Sequence, residues 1–260
     1  MRNLLVSVLG LVILGGCAAE TSTSDSTSAT GNAGTTDSEI VGGTETTAYP
    51  AVIALFAHKP GENQGALCTS TLISPTVLLT AAHCVAPATV GEGNEFVALT
   101  GPSINDATNP AGQLKVSETH FDPEFNDKNL PNGHDVAVAI LAEPYTAVAP
   151  IAWNKGALPS SLTGAKVHAV GYGLNDGFGQ KGAGVKREAD LKLNKFDSKL
   201  INTGGFGKTI CSGDSGGPIL AKINGVETVI AVNSYGFIFC IGASNSTRID
   251  TYKTFIQQYL

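Results

Sequence analysis

With 260 residues, 42% of them apolar, the chain is long enough to bury a full core in one large domain or two small ones. Thirty-one glycines and only 15% charged residues suit a turn-rich β protein better than a helical bundle. The net charge of −6 is modest and spread along the chain with no basic stripe, which argues against a nucleic-acid partner.

Residues 1–16 hold one basic residue, Arg2, followed by an apolar run over 4–14. The run is too short to cross a membrane and predicts a secretory signal over 1–19. It ends in Leu14-Gly15-Gly16-Cys17, which resembles a bacterial lipobox, where the cysteine takes lipid and becomes the new N-terminus. Five cysteines is an odd number, and Cys17 is the one without an evident partner. The alternative is an ordinary signal cut after Ala19, with Cys17 incidental. Residues 20–39 are almost all Thr, Ser, Gly, Asp, Asn and Ala. They hold too little apolar surface to pack and predict a flexible tether or propeptide.

Residues 52–56, 67–73 and 77–81 read as β-strands, with turn signals at Pro60-Gly61 and Ser74-Pro75. His83 follows in Leu79-Thr80-Ala81-Ala82-His83-Cys84. Residues 86–132 mix short apolar runs at 96–99 and 114–116 with Gly/Pro/Asn loops, and Asp135 then opens the apolar run 136–141. A carboxylate at the head of an apolar strand is well placed to be buried against a histidine and to fix its tautomer. Asp122 and Asp127 are rival acids, set in polar loop without such a flank. His134 is expected as a solvated neighbour of the site. Residues 144–161, rich in Pro and Ala, read as a connection between two halves. A second set of strands follows at 166–172, 186–196, 218–223 and 226–233, with His168 as a core or surface histidine in the first. Residues 250–260 carry Tyr252, Phe255, Ile256, Tyr259 and Leu260, spaced for one helical face.

The stretch Cys211-Ser212-Gly213-Asp214-Ser215-Gly216-Gly217-Pro218 sets a possible nucleophile, Ser215, between glycines and beside an acid. Glycines allow steep backbone turns and close approach to a ligand. The N–H groups of Gly213 and Ser215 are candidates for a pair aimed at a carbonyl oxygen that turns negative during acyl transfer. Taken alone, the stretch is equally a glycine-rich turn with a surface serine. It also satisfies the nucleophile elbow of α/β-hydrolases, whose histidine comes after the serine. The histidines here are His58, His83, His120, His134 and His168, all before Ser215, so the elbow lacks its base. The order His, Asp, Ser is available.

Thr80-Ala81-Ala82-His83-Cys84, His134-Asp135-Val136-Ala137 and Gly213-Asp214-Ser215-Gly216-Gly217-Pro218 resemble the three catalytic motifs of chymotrypsin/trypsin-type serine endopeptidases. Ile40-Val41-Gly42-Gly43 resembles their mature N-terminus, so the similarity spans 40–260. The resemblance implies an all-β fold of two packed antiparallel six-stranded β-barrels, over about 50–145 and about 160–249, with a C-terminal helix over about 250–260 and the site between the barrels. It implies Ser215 as nucleophile, His83 as base and then acid, and Asp135 as its orienting partner. Gly213 and Ser215 would form the oxyanion hole. Cleavage before Ile40 would free an ammonium that pairs with Asp214. The residue before that bond is Glu39, where family zymogens commonly have Lys or Arg, so the activating protease would have to accept glutamate.

Cys68 and Cys84, on either side of a strand pair in an exported chain, read as a disulfide holding the loop of His83. A zinc site from His83 and Cys84 competes but lacks a Cys-x-x-Cys or a nearby ligand pair. Cys211 and Cys240 are expected to be bridged as in the family. The resemblance puts Thr209, Ile210, Ser234, Gly236 and Ser244 around the specificity pocket. Thr209 stands where trypsin-like enzymes have aspartate, so the implied preference is apolar or aromatic and not Lys/Arg. No cofactor or metal is implied. The implied partners are protein or peptide substrates and an activating protease, for an exported monomer whose precursor is lipid-anchored if Cys17 is modified. The rival from another class is a non-catalytic binding module on the same fold; retention of all three catalytic residues speaks against it. A tethered surface adhesin is compatible with catalysis.

Overall fold

The structure is a computed structural model of the chain, in which residues 40–105, 112–237 and 239–260 are described. The expected signal over 1–19, the tether over 20–39, Cys17 and Glu39 lie outside the described residues. Two antiparallel barrels account for most of the rest.

The first barrel is built from β2 (Val52–His58), β3 (Gly65–Ser74), β4 (Val77–Thr80), β5 (Glu95–Leu99), β6 (Gln113–Phe121) and β7 (Ala137–Leu141). It closes in the order β2-β3-β4-β7-β6-β5. Successive side chains of a strand point to opposite faces. In β2, Ile53 and Leu55 therefore fill the barrel interior with Leu72, Leu78 and Ala139. Val52, Ala54 and Phe56 face outward, into a second apolar layer shared with Val170, Tyr172, Leu220 and Val229. Both faces of the strand are covered, so its sequence is continuously apolar and does not alternate.

The second barrel uses β9 (Lys166–Gly171), β10 (Arg187–Phe196), β11 (Leu200–Gly204), β12 (Pro218–Ile223), β13 (Val226–Tyr235) and β14 (Ala243–Arg248). The path β10-β11-β14-β13-β12-β9 closes through the β9–β10 pairing. Two short strands attach outside the ring: β1 (Thr44–Glu45) pairs with β10, and β8 (Ala152–Trp153) lies parallel to β13. Val167, Ala169, Leu191, Leu193, Ile219 and Ile230 fill the interior, with Ile40 among them. Tyr172 fastens the barrels together: it is fully buried, and its hydroxyl donates to the carbonyls of Val52 at 3.2 Å and Gly101 at 2.6 Å.

The two-barrel architecture is as the resemblance implied, and three details differ. The terminal helix is short, Lys253–Gln257; Tyr252 and Ile256 are buried in the layer between the barrels, and Phe255 and Tyr259 pack against it half-buried. Strands β11 and β14 were not foreseen. Strand β14 reads Ala-Ser-Asn-Ser-Thr-Arg, a loop-like composition, yet Ser244, Ser246 and Thr247 are fully buried. Pairing with β11 and β13 satisfies its backbone, so small hydroxyl side chains can face inward.

Candidate active site

His83 sits in a short 3-10 turn, Ala82–Cys84, that leaves the end of β4. The Cys68–Cys84 disulfide, with 6.1 Å between Cα atoms, ties this turn to β3. Closing a loop of this length is worth about 3 kcal/mol. The joined sulfurs leave no thiolate for a metal, although both lie within reach of the His83 ring.

Asp135 precedes β7 and is fully buried. Its carboxylate accepts from His83 Nδ1 at 2.7 Å, from the His83 backbone N–H at 2.9 Å and from Ser234 Oγ at 2.5 Å. Burial by itself would raise the acid's pKa. The charge of His83 and these hydrogen bonds outweigh burial and hold the carboxyl below its usual value. With Nδ1–H directed at the carboxylate, Nε2 of a neutral imidazole is left as the acceptor, on a side chain still 20% exposed. Ser234, at the end of β13, was expected only as a pocket residue; its bond to Asp135 ties the acid to the second barrel.

The Ser215 loop lies against the strand end that precedes His83. A Cβ on Gly216, whose φ is +77°, would fall 2.1 Å from Thr80 Oγ1 and 2.9 Å from the Ala81 nitrogen. Only glycine permits this approach. Ser215 is half-buried, and its carbonyl accepts from Thr69 N–H at 2.8 Å. Among the described residues its Oγ makes no hydrogen bond to His83 or to any other group, and the N–H groups of Gly213 and Ser215 have no protein acceptor. Catalytic contacts are often loose in an unliganded site.

Asp214 is fully buried and accepts from the N–H groups of Gly173 at 2.8 Å and Cys211 at 2.9 Å. Burial pushes its carboxyl up to about 6, against the pull of those two N–H groups and of Arg187 nearby. The structure does not join Asp214 to Ile40. Ile40 is instead fully buried in the barrel-two core, and the carbonyl of Val41 accepts from Thr209 N–H at 3.1 Å. The physical reason is covalent: in the uncleaved chain the Ile40 nitrogen is an amide, with no charge to offer.

Of the expected pocket residues, Gly236 is exposed and lies close to Ser244, since a Cβ on it would meet the Ser244 Cβ at 3.3 Å. Thr209 is 2% exposed, Ser244 0%, Ile210 6% and Ser234 6%. The Cys211–Cys240 disulfide is formed beside them.

His134 differs from expectation. It is buried, with a positive φ of 68°, and its ring nitrogens face Asp122 at 3.1 Å and Lys199 Nζ at 2.8 Å. Its N–H donates to the Tyr252 hydroxyl at 2.8 Å. The rival acid Asp122 is thus engaged with His134, and Asp127 is exposed. His168 packs on Tyr49 and faces Asp190 at 3.1 Å.

A model of the trypsin family matches residues 40–256. The chain is 28% identical over 256 residues to chymotrypsin-like elastase family member 1 of Canis lupus familiaris, covering 86% of this chain and 93% of that protein. It is 30% identical over 212 residues to brachyurin of Leptuca pugilator, covering 76% and 86%. It is also 30% identical over 196 residues to CLIP domain-containing serine protease B10 of Anopheles gambiae, covering 64% of this chain and 53% of that protein.

Proposed function

The chain belongs to the trypsin family of serine endopeptidases, and from that premise we propose that Ser215, His83 and Asp135 hydrolyse peptide bonds of protein substrates through an acyl-enzyme. The observation that carries this is the fixed pair His83–Asp135, held at 2.7 Å and 2.9 Å, with Ser234 closing on the same carboxylate. Ser215 Oγ attacks the substrate carbonyl while His83 Nε2 takes its proton and later returns it to the leaving amine. Asp135 stays ionised and stabilises the imidazolium. The free N–H groups of Gly213 and Ser215 receive the oxyanion, where loss of one donor typically costs about a hundred- to thousandfold in turnover. No step calls for a cofactor.

Residues 40–260 form the catalytic unit and the segments before it are removed, the signal on export and the tether on activation. Cleavage between Glu39 and Ile40 gives Ile40 an ammonium, which supplies the counter-charge that Asp214 lacks while fully buried. The pair then fixes the Gly213–Ser215 loop. The activating protease accepts glutamate. Two disulfides suit an extracellular protein. If Cys17 carries lipid, the same cleavage releases the monomeric enzyme from its membrane. Thr209 and Ser244 are buried and carry no charge. They support the expected apolar or aromatic preference and disfavour Lys and Arg.

The test is intact mass and N-terminal sequencing of the exported protein, with and without a fluorophosphonate. The expected result is an Ile40 start with one label on Ser215, and no label on the Ser215→Ala variant. An Ile40 start without label overturns catalysis in favour of a binding module. A labelled chain that retains residues 20–39 overturns activation by cleavage.

A further inference from the structure

We propose that the Thr69 hydroxyl is a positioning residue for the oxyanion hole, acting through the Gly213 peptide; the inference rests on the assignment of Gly213 and Ser215 as that hole. The peptides around Ser215 are pinned by backbone bonds, and the one that carries the Gly213 N–H is held at its other end, where Ser212 O accepts from Leu174 N–H at 2.8 Å. Asp214 N–H donates to Cys211 O, Gly216 N–H to Asn233 O, and Gly217 N–H to Asp214 O. Gly213 itself gives neither its N–H nor its carbonyl to a backbone partner among the described residues. Its N–H must stay free to bind the oxyanion, and its φ of +97° is not enforced by any side chain of its own. Glycine populates positive and negative φ about equally, so the turn gains from a further clamp on the Gly213 carbonyl. A Cβ there would meet Gly173 Cα at 2.9 Å, so no bulkier residue can replace that freedom with steric constraint.

Thr69 is the clamp. It is fully buried on β3 of the first barrel, and its Oγ1 donates to Gly213 O at 2.8 Å. The same oxygen accepts from Tyr172 N–H at 3.1 Å, which fixes the direction of its own hydrogen. Thr69 N–H holds Ser215 O at 2.8 Å, and Thr80 Oγ1 holds Thr69 O at 2.9 Å. One residue of the first barrel therefore grips both hole-forming residues of the second. Among the described residues, Thr69 Oγ1 is the hydrogen-bond partner that Gly213 O and Tyr172 N–H each have. Replacing the hydroxyl with a methyl releases the Gly213 carbonyl, leaves the Asp214 N–H on Cys211 O as the hold on that peptide, and so loosens the turn that aims the Gly213 N–H.

The experiment compares the processed wild-type enzyme with Thr69→Val, Thr69→Ala and Thr69→Ser, and with Ser215→Ala as reference. The expected result is a kcat about ten- to a hundredfold lower for Thr69→Val with KM within about threefold, below the full loss of one donor. The inhibition constant of a peptide boronate should weaken by the same factor as kcat/KM, because it takes up the tetrahedral geometry. Thr69→Ser should restore both to within about threefold of wild type. If Thr69→Val does not fold, Thr69→Ala carries the same comparison. A kcat within twofold of wild type overturns the proposal, as does a loss of kcat with boronate affinity unchanged, or one that serine does not rescue. Full activity in Ser215→Ala would instead overturn the assignment of Ser215 as nucleophile, on which the assignment of the hole rests.

Discussion

Asp135 and Asp214 are both fully buried, yet burial leaves one carboxyl below its usual pKa and the other pushed up to about 6. Desolvation is the largest influence on each. The difference lies in the partners. Asp135 has an imidazole, a hydroxyl and a backbone N–H. Asp214 has two backbone N–H groups and a more distant guanidinium. A buried carboxylate is stable as an anion only when a charge and enough donors meet it. The first pocket meets that condition as the chain stands, and the second would meet it under the proposed cleavage, when an ammonium arrives.

The largest expected effect comes from breaking the complete pocket. His83→Ala should lower kcat/KM by about a millionfold, because base, acid and the partner of Asp135 go together. Asp135→Asn should cost about ten-thousandfold, since the amide presents a donor where the imidazole needs an acceptor. Steady-state kinetics on the Ile40-started enzyme checks both, and a loss below a hundredfold for either would remove the pair from the mechanism.

The two aspartates should also give the protein opposite responses to pH. Asp214, raised from 3.8 to about 6, favours the folded state while it is protonated. Its contribution is fully present below its unfolded pKa and is lost as pH rises through about 6. At about 1.4 kcal/mol per unit, the uncleaved chain should lose about 3 kcal/mol between acid and neutral pH from this group. Asp135, held below 3.8, contributes stability above the unfolded pKa and loses it as pH falls through the lower folded value. Asp214→Asn should therefore stabilise the uncleaved chain at pH 7 and flatten its profile, whereas Asp135→Asn should destabilise it there. Denaturant titrations at pH 4.5 and 7 decide the matter. The slope from Asp214 should vanish after cleavage, and its persistence would mean that Ile40 does not supply the counter-charge.

The same contrast marks how far the sequence could be followed. The motif around Asp135 was legible because its acid and the apolar run of β7 are contiguous, and His83 carries its own flank. Strands buried on both faces, such as β2, announce themselves as apolar runs. What escaped depends on contacts between distant segments. The burial of His134 comes from Lys199 and Tyr252, 65 and 118 residues away. Strand β14 is polar, and only its neighbours β11 and β13 make it a strand. The hydroxyl of Thr69 looks like any strand threonine until Gly213, 144 residues on, is brought beneath it.

Ser234 offers the finest test of the comparison, because it touches Asp135 and was also expected to line the pocket. Its 2.5 Å bond donates to a charged, buried oxygen, the class of hydrogen bond worth about 1.5–3 kcal/mol. Ser234→Ala leaves Asp135 with its two bonds from His83, so the pocket should be weakened and not dismantled. We expect kcat about ten- to a hundredfold lower with KM little changed, and recovery in Ser234→Thr, whose hydroxyl can reach the same oxygen. A rise in KM at constant kcat would assign Ser234 to substrate binding. Asp135 would then rest on His83 alone, and donors beyond the imidazole would no longer separate the two aspartates.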